Sequence, residues 1–200
     1  MDECCKVTTV SEQQRRVVQA VLWINISMFL LESIVGLLIH STSLLADSVD
    51  MLGDAIVYGF SLYVIGRGSV WLGRAALLKG VIMGAFGLGI LAHVVFKTAH
   101  GLVPSAEMMG VVGMMAFAAN LICLMLLRHH RSDDINMRSA WMCSRNDVIG
   151  NAGVLVAALA VYLFHSPWPD IVIGLLIATL FVRSAISIIR EASREMLALK

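Results

Sequence analysis

Asp50 and Asp54 stand four residues apart in the apolar segment LLADSVDMLGDA, and Cys143 and Asp147 stand four apart in WMCSRNDVIGN. On an α-helix that spacing puts both members of each pair on one face, about 6 Å apart along the axis. If the two faces meet, three carboxylates and one thiol converge. Hard oxygens with one soft sulfur suit a tetrahedral divalent ion such as Zn2+ or Cd2+, because carboxylates supply neutralising charge and a thiolate favours the softer cation. Mg2+ and Ca2+ would want six or more oxygens. A carboxylate at mid-bilayer costs on the order of 3 kcal/mol, so it normally faces a cavity, a partner or a cation. The pattern points to an ion path through a membrane.

Other polar residues in these apolar stretches need partners. Asp47 shares a face with Asp50 and Asp54, but a further carboxylate would exceed a divalent ion's charge, so it is expected to accept hydrogen bonds or pair with a cation. Arg145 falls roughly 200° around its helix from Cys143, pointing away from the metal, with Glu32 or Asp47 as its expected counter-charge. Asn151, two turns beyond Cys143 on the same face, either orients a carboxylate or lines the path, or else makes an interhelical hydrogen bond.

The elements that must position these groups follow from composition. Of 200 residues, 58% are hydrophobic and 14% charged, with a mean hydropathy of +0.83. Soluble domains have about a quarter of their residues charged. Runs long enough to span, at about 20 residues each, are predicted at 17–39, 43–66, 76–97, 106–127, 139–164 and 169–190. The expected fold is an all-α membrane protein of six transmembrane helices. It divides into an N-terminal arm (1–16), a six-helix transmembrane domain (17–190) and a short cytoplasmic tail (191–200). The arm lacks the apolar core of a cleavable signal, and no soluble domain is expected between the spans.

Basic residues cluster in the arm, in the second-to-third and fourth-to-fifth connections and in the tail, whereas the opposite side offers Lys97. Lys and Arg are retained inside, so both termini are predicted to be cytoplasmic. A net charge of +1 gives no reason to expect a nucleic-acid partner. Cys4, Cys5, Cys123 and Cys143 have no disulfide spacing and read as thiols. Cys4 and Cys5 either collect a soft ion or are incidental. The segment RHHRSDDINMR, with His129, His130, Asp133 and Asp134, either holds a cation transiently or is a solvated loop. Gly80 and Gly84 form a GxxxG pair that suits a dimer seam or packing within one bundle. GRGSVWLGR reads as a cytoplasmic loop and HSTS as a tight external hairpin.

The strings STSLLADSVDMLGD and SAWMCSRNDVIGNAGVLVAAL resemble the second and fifth transmembrane helices of the cation diffusion facilitator family, and the similarity runs from the first span to the sixth. That family comprises six-helix divalent-metal/proton exchangers that usually work as homodimers. The resemblance implies that Asp50 and Asp54 take the helix-two ligand positions and Asp147 the second helix-five position. Cys143, placed by the flanking SAWM, Asp147 and GV, stands where the family usually has His. That departure shifts the expected preference toward Cd2+ or another soft ion, with Zn2+ still first. The family's cytoplasmic C-terminal domain is expected to be absent, and GRGSVWLGR offers no His or carboxylate for the second site of some relatives.

The function implied is proton-coupled efflux of Zn2+ or Cd2+ from the cytoplasm by a multi-pass protein of the cytoplasmic (inner) membrane. Metal is then cargo, H+ the counter-ion, and no prosthetic group is expected. An alternative is a membrane metal sensor or accessory subunit that does not transport. An intramembrane aspartyl hydrolase would also use two carboxylates from two helices. The added thiol and further acids suit metal better, so the chain is not expected to be an enzyme.

Overall fold

A computed structural model describes residues 12–64, 69–132 and 135–198, and among them the chain is six α-helices without a strand. In order they are α1 (Glu12–Leu38), α2 (Thr42–Val64), α3 (Ser69–His100), α4 (Ala106–Arg128), α5 (Ile135–Phe164) and α6 (Trp168–Ala198). Connections of a few residues make successive helices antiparallel. The start of α1 and the end of α6 therefore share one end of the bundle, and the turns at 39–41, 101–105 and 165–167 form the other, here called the distal end. Gly101, at φ 61, and Pro104 stop α3. Ser105 then starts α4, its side chain accepting from the Met108 N–H at 3.4 Å.

The chain is apolar outside and polar inside. Trp23, Leu38, Val95, Tyr162 and Phe164 lie on the surface, whereas Glu32, Asp47, Lys97, Asn120, Asn151 and Asp170 are each buried to 1% exposure or less. Water would penalise such a surface, whereas lipid tails accept it and force polar groups inward. Among the described residues five segments are long and apolar enough to cross a membrane: Glu12–Leu38, Gly80–His100, Ala106–Arg128, Ala140–Phe164 and Trp168–Ser187. Helix α2 is not among them, because Asp47, Asp50 and Asp54 fall within one span's length. It survives by enclosure. It packs against α1, α3, α5 and α6, and every residue from Ser41 to Val49 is buried.

Several helices are longer than the predicted spans. GRGSVWLGR is not a loop throughout: α3 begins at Ser69, so its second half is helical. Helix α6 continues to Ala198, which makes most of the expected tail helical, and α1 includes the last residues of the expected arm. Span length reports only the apolar part of a helix, and amphipathic ends extend past it. Cys4, Cys5, Asp133 and Asp134 lie outside the described residues. Two glycines of α3 lie against α6, whereas Gly89 has open space beside it. Gly84 faces Ala185 of α6, and a Cβ on Gly87 would lie 2.8 Å from Val182.

One carboxylate organises the distal end. Asp170, in the first turn of α6, accepts from the Thr42 N–H at 2.7 Å, the Ser43 N–H at 3.0 Å, the Ser41 hydroxyl at 2.8 Å and the Ser43 hydroxyl at 2.5 Å. The N-terminal N–H groups of α2 have no partner within their own helix, and a carboxylate both satisfies them and complements the helix dipole. Lys97, near the end of α3, completes the cluster with its ammonium 2.5 Å from Asp170, and both side chains have no exposed surface. One turn along α6, Gly174 lets the α2 backbone approach, since a Cβ there would sit 2.8 Å from Thr42 C and 2.9 Å from Ser43 N.

Breaking a buried pair from one side leaves an uncompensated charge. Lys97→Met should destabilise the chain by about 3 kcal/mol. Gly174→Ala should cost about 1–3 kcal/mol, because backbone has to move. Thermal melting in detergent micelles should show both losses, with Gly153→Ala, whose Cβ would meet an ordinary 3.8 Å contact, close to the parent.

Candidate metal centre

Helices α2 and α5 run antiparallel and meet through Asp47 and Asn151. The Asn151 side-chain amide donates to Asp47 Oδ1 at 3.1 Å and to the Asp147 backbone carbonyl at 3.0 Å. Gly150 opens the approach, its Cβ position lying 3.9 Å from Asp47 Oδ1. From that contact, one helical turn toward the termini along both helices reaches Asp50 and Asp147, and a second reaches Asp54 and Cys143. Both pairs thus fall at matching depths on facing helices. Asp54, Cys143 and Asp147 are buried and Asp50 is half-buried. None of the four is free, as each makes a polar or electrostatic interaction. Among the described residues no three His, Cys, Asp or Glu side chains close on a common point at metal-binding distance.

The flanking polar residues have particular partners. Glu32 on α1, with no exposed surface, faces Asp47 and lies within electrostatic reach of Asp50. Its two carboxylate oxygens and Asp47 Oδ2 have no hydrogen-bond partner among the described residues. Arg145 does not turn to Glu32 or Asp47. It is exposed, and its guanidinium lies 5.7 Å from the centre of the Trp141 ring. Arg131 approaches the same ring at 5.4 Å. A guanidinium near the bundle's end can lean on an aromatic face and reach polar surroundings without an anion. The Asn151 side chain makes an interhelical hydrogen bond, and its acceptor is the Asp47 carboxylate.

Helix α4 supplies what the sequence did not flag. Asn120 and Cys123 are buried there, each with 1% of its surface exposed. Ser144, beside Cys143, donates to the Asn120 carbonyl at 3.5 Å. Cys123 packs with Val18, Tyr58 and Ala140, within the electrostatic influence of Asp54. The spacing of Asn120 one turn from Ala116, on the same face as Met109, Val112 and Gly113, was the available signal. Near the termini, His129 and His130 sit edge to face, 6.3 Å apart, and His129 lines a cavity of about 540 Å³ with Met125, Arg128, Arg131 and Ser132. Two guanidiniums make that cavity unattractive to a cation.

Residues 18–197 match the cation efflux transmembrane domain. The chain belongs to that family. Similar cation efflux proteins include the "Zinc transporter ZitB" of Yersinia pestis, 26% identical over 179 residues that make up 83% of this chain and 57% of that protein. The "Cadmium, cobalt and zinc/H(+)-K(+) antiporter" of Bacillus subtilis is 23% identical over 177 residues, 82% of this chain and 57% of that protein. The "Metal cation efflux system protein CzcD" of Cupriavidus metallidurans is 24% identical over 162 residues, 74% of this chain and 51% of that protein. The chain thus spans somewhat over half the length of these cation efflux relatives. Family and apolar surface together make it an integral, multi-pass membrane protein.

Asn151→Leu should leave Asp47 Oδ1 without its donor and separate α2 from α5. A buried acceptor stripped of its partner costs about 1–3 kcal/mol. Melting of the metal-free chain should show that loss, and Asn151→Asp should not restore stability, because it sets a second acceptor against Asp47.

Proposed function

We propose that this chain carries divalent transition-metal ions across the membrane in exchange for protons, with Zn2+ as the first cargo and Cd2+ the second. Asp50, Asp54, Cys143 and Asp147 are the ligands, and Asp47, Asn151 and Glu32 are supporting or path-lining residues. The observation that carries the reading is the antiparallel α2–α5 seam fixed at Asp47 and Asn151, from which the four ligands follow at matching depth. A small rotation or slide of α5 against α2 brings the four donors around one ion, and a carrier needs a site that assembles and opens. Zinc and cadmium transport by the named relatives supports the choice of cargo.

Coupling follows from the ligands' chemistry. Metal binding requires a thiolate and carboxylates, so loading releases protons and protonation expels the ion. When the site faces the cytoplasm, metal displaces protons; when it faces outward, external protons compete the metal off and return with the carrier. An inward proton gradient then drives export. Both termini lie in the cytoplasm in this scheme, because basic residues crowd the terminal end and distal Lys97 is neutralised by Asp170. The chain works in the cytoplasmic membrane as a homodimer.

In proteoliposomes, Asp54→Ala or Asp147→Ala should abolish metal-dependent proton flux; full flux in either would remove that residue from the site. Cys143→His should retain transport while losing preference for Cd2+ over Zn2+, since imidazole is less selective for the softer ion. Unchanged selectivity in that variant would show that the thiol is not a ligand.

A further inference from the structure

The distal turn between α1 and α2 holds a histidine in an unusual backbone conformation. His40 has φ 56, in the left-handed region that residues other than glycine enter at a cost. The Ser41 N–H bonds back to the Gly36 carbonyl at 2.9 Å, so His40 occupies the helix-ending position where glycine is the usual residue. Held there, its imidazole lies beside that of His93 on α3, with ring centroids 6.0 Å apart and planes 20° apart. On the His93 ring, Nε2 is buried and has no hydrogen-bond partner among the described residues. In the tautomer with the proton on Nδ1, that nitrogen carries a free lone pair, the form in which a neutral histidine ligates a metal.

We propose that His40 and His93 form a two-imidazole site for a divalent transition-metal ion at the distal mouth of the bundle. With metal–nitrogen bonds of about 2.0–2.1 Å, one ion between two imidazoles holds their centroids roughly 6 Å apart, as here. Imidazole suits Zn2+. Lys97, one turn beyond His93, is paired with Asp170, which offsets part of its charge at the ring. Phe96, 6.2 Å from His40, walls one side, and His100 packs on Phe96 at 4.2 Å. Only two protein ligands face the ion, so water fills the remaining positions and binding is weak and reversible. On the reading that the chain exports metal, this is a station that receives the ion after it leaves the carboxylates and gives it up to bulk water. The binding itself does not depend on that reading.

The test uses the full chain carrying Asp54→Ala and Asp147→Ala, so that the central site is not loaded, with histidines labelled by 15N. Ring-nitrogen spectra are followed during a Zn2+ titration. Two resonances should move together, one absent from His40→Gly and the other from His93→Gln. In each single variant the remaining histidine should stop responding, or respond with a midpoint at least ten-fold higher. The site is overturned if either ring keeps its midpoint after the other is removed, or if neither ring responds. His40→Gly relieves the left-handed strain and should melt no lower than the parent, so loss of response in it does not reflect misfolding. The transport reading fails separately, through Asp54- and Asp147-dependent flux in the otherwise unaltered chain.

Discussion

Helix α2 carries three carboxylates through an apolar layer, and the surrounding helices are arranged to make that tolerable. An ionised side chain facing lipid would cost several kcal/mol, and α2 has Asp47, Asp50 and Asp54 on neighbouring turns. It is therefore sheathed by α1, α3, α5 and α6. The sheath in turn requires close approach. Gly36 admits Leu45 on the α1 side, and Gly174 admits the α2 backbone on the α6 side. The polar interior and the apolar exterior are two consequences of one constraint.

The distal end fixes where α2 begins. Asp170 satisfies the N–H groups that any helix leaves unpaired, and Lys97 balances the carboxylate, so α2, α3 and α6 share one anchor. The candidate metal ligands of α2, Asp50 and Asp54, lie about two and three turns along the helix from that anchor. The top of α2 is locked by charge-assisted hydrogen bonds, and lower down α2 meets α5 through the hydrogen bond between Asn151 and Asp47 and through Leu44, which packs against Val154 and Ala157.

The helices were legible in the sequence because apolar runs of spanning length are a strong signal, and the pairs Asp50/Asp54 and Cys143/Asp147 because helical spacing needs no tertiary information. Long-range partners were not legible. Lys97 counted only as a stray charge on the outer side, although 73 residues later Asp170 was waiting for it. Arg145 was given a carboxylate partner on the premise that its depth left no other outlet; Trp141, one turn earlier on the same helix, offered one. Helix ends were misjudged in GRGSVWLGR because three glycines suggest a loop, whereas Ser69 onward is held in α3. Asn120 passed unnoticed, and Cys123 was read only as a thiol, because a lone polar residue on an apolar helix does not announce its neighbours.

The central claim is that one ion is held jointly by carboxylates and by the Cys143 sulfur. X-ray absorption at the cadmium edge, on the purified chain loaded with one equivalent of Cd2+, tests it most directly. The account predicts a shell with one sulfur and the remainder oxygen, the sulfur vanishing in Cys143→Ser. A shell of oxygen and nitrogen alone in the parent chain, or a sulfur that persists in Cys143→Ser, would contradict it.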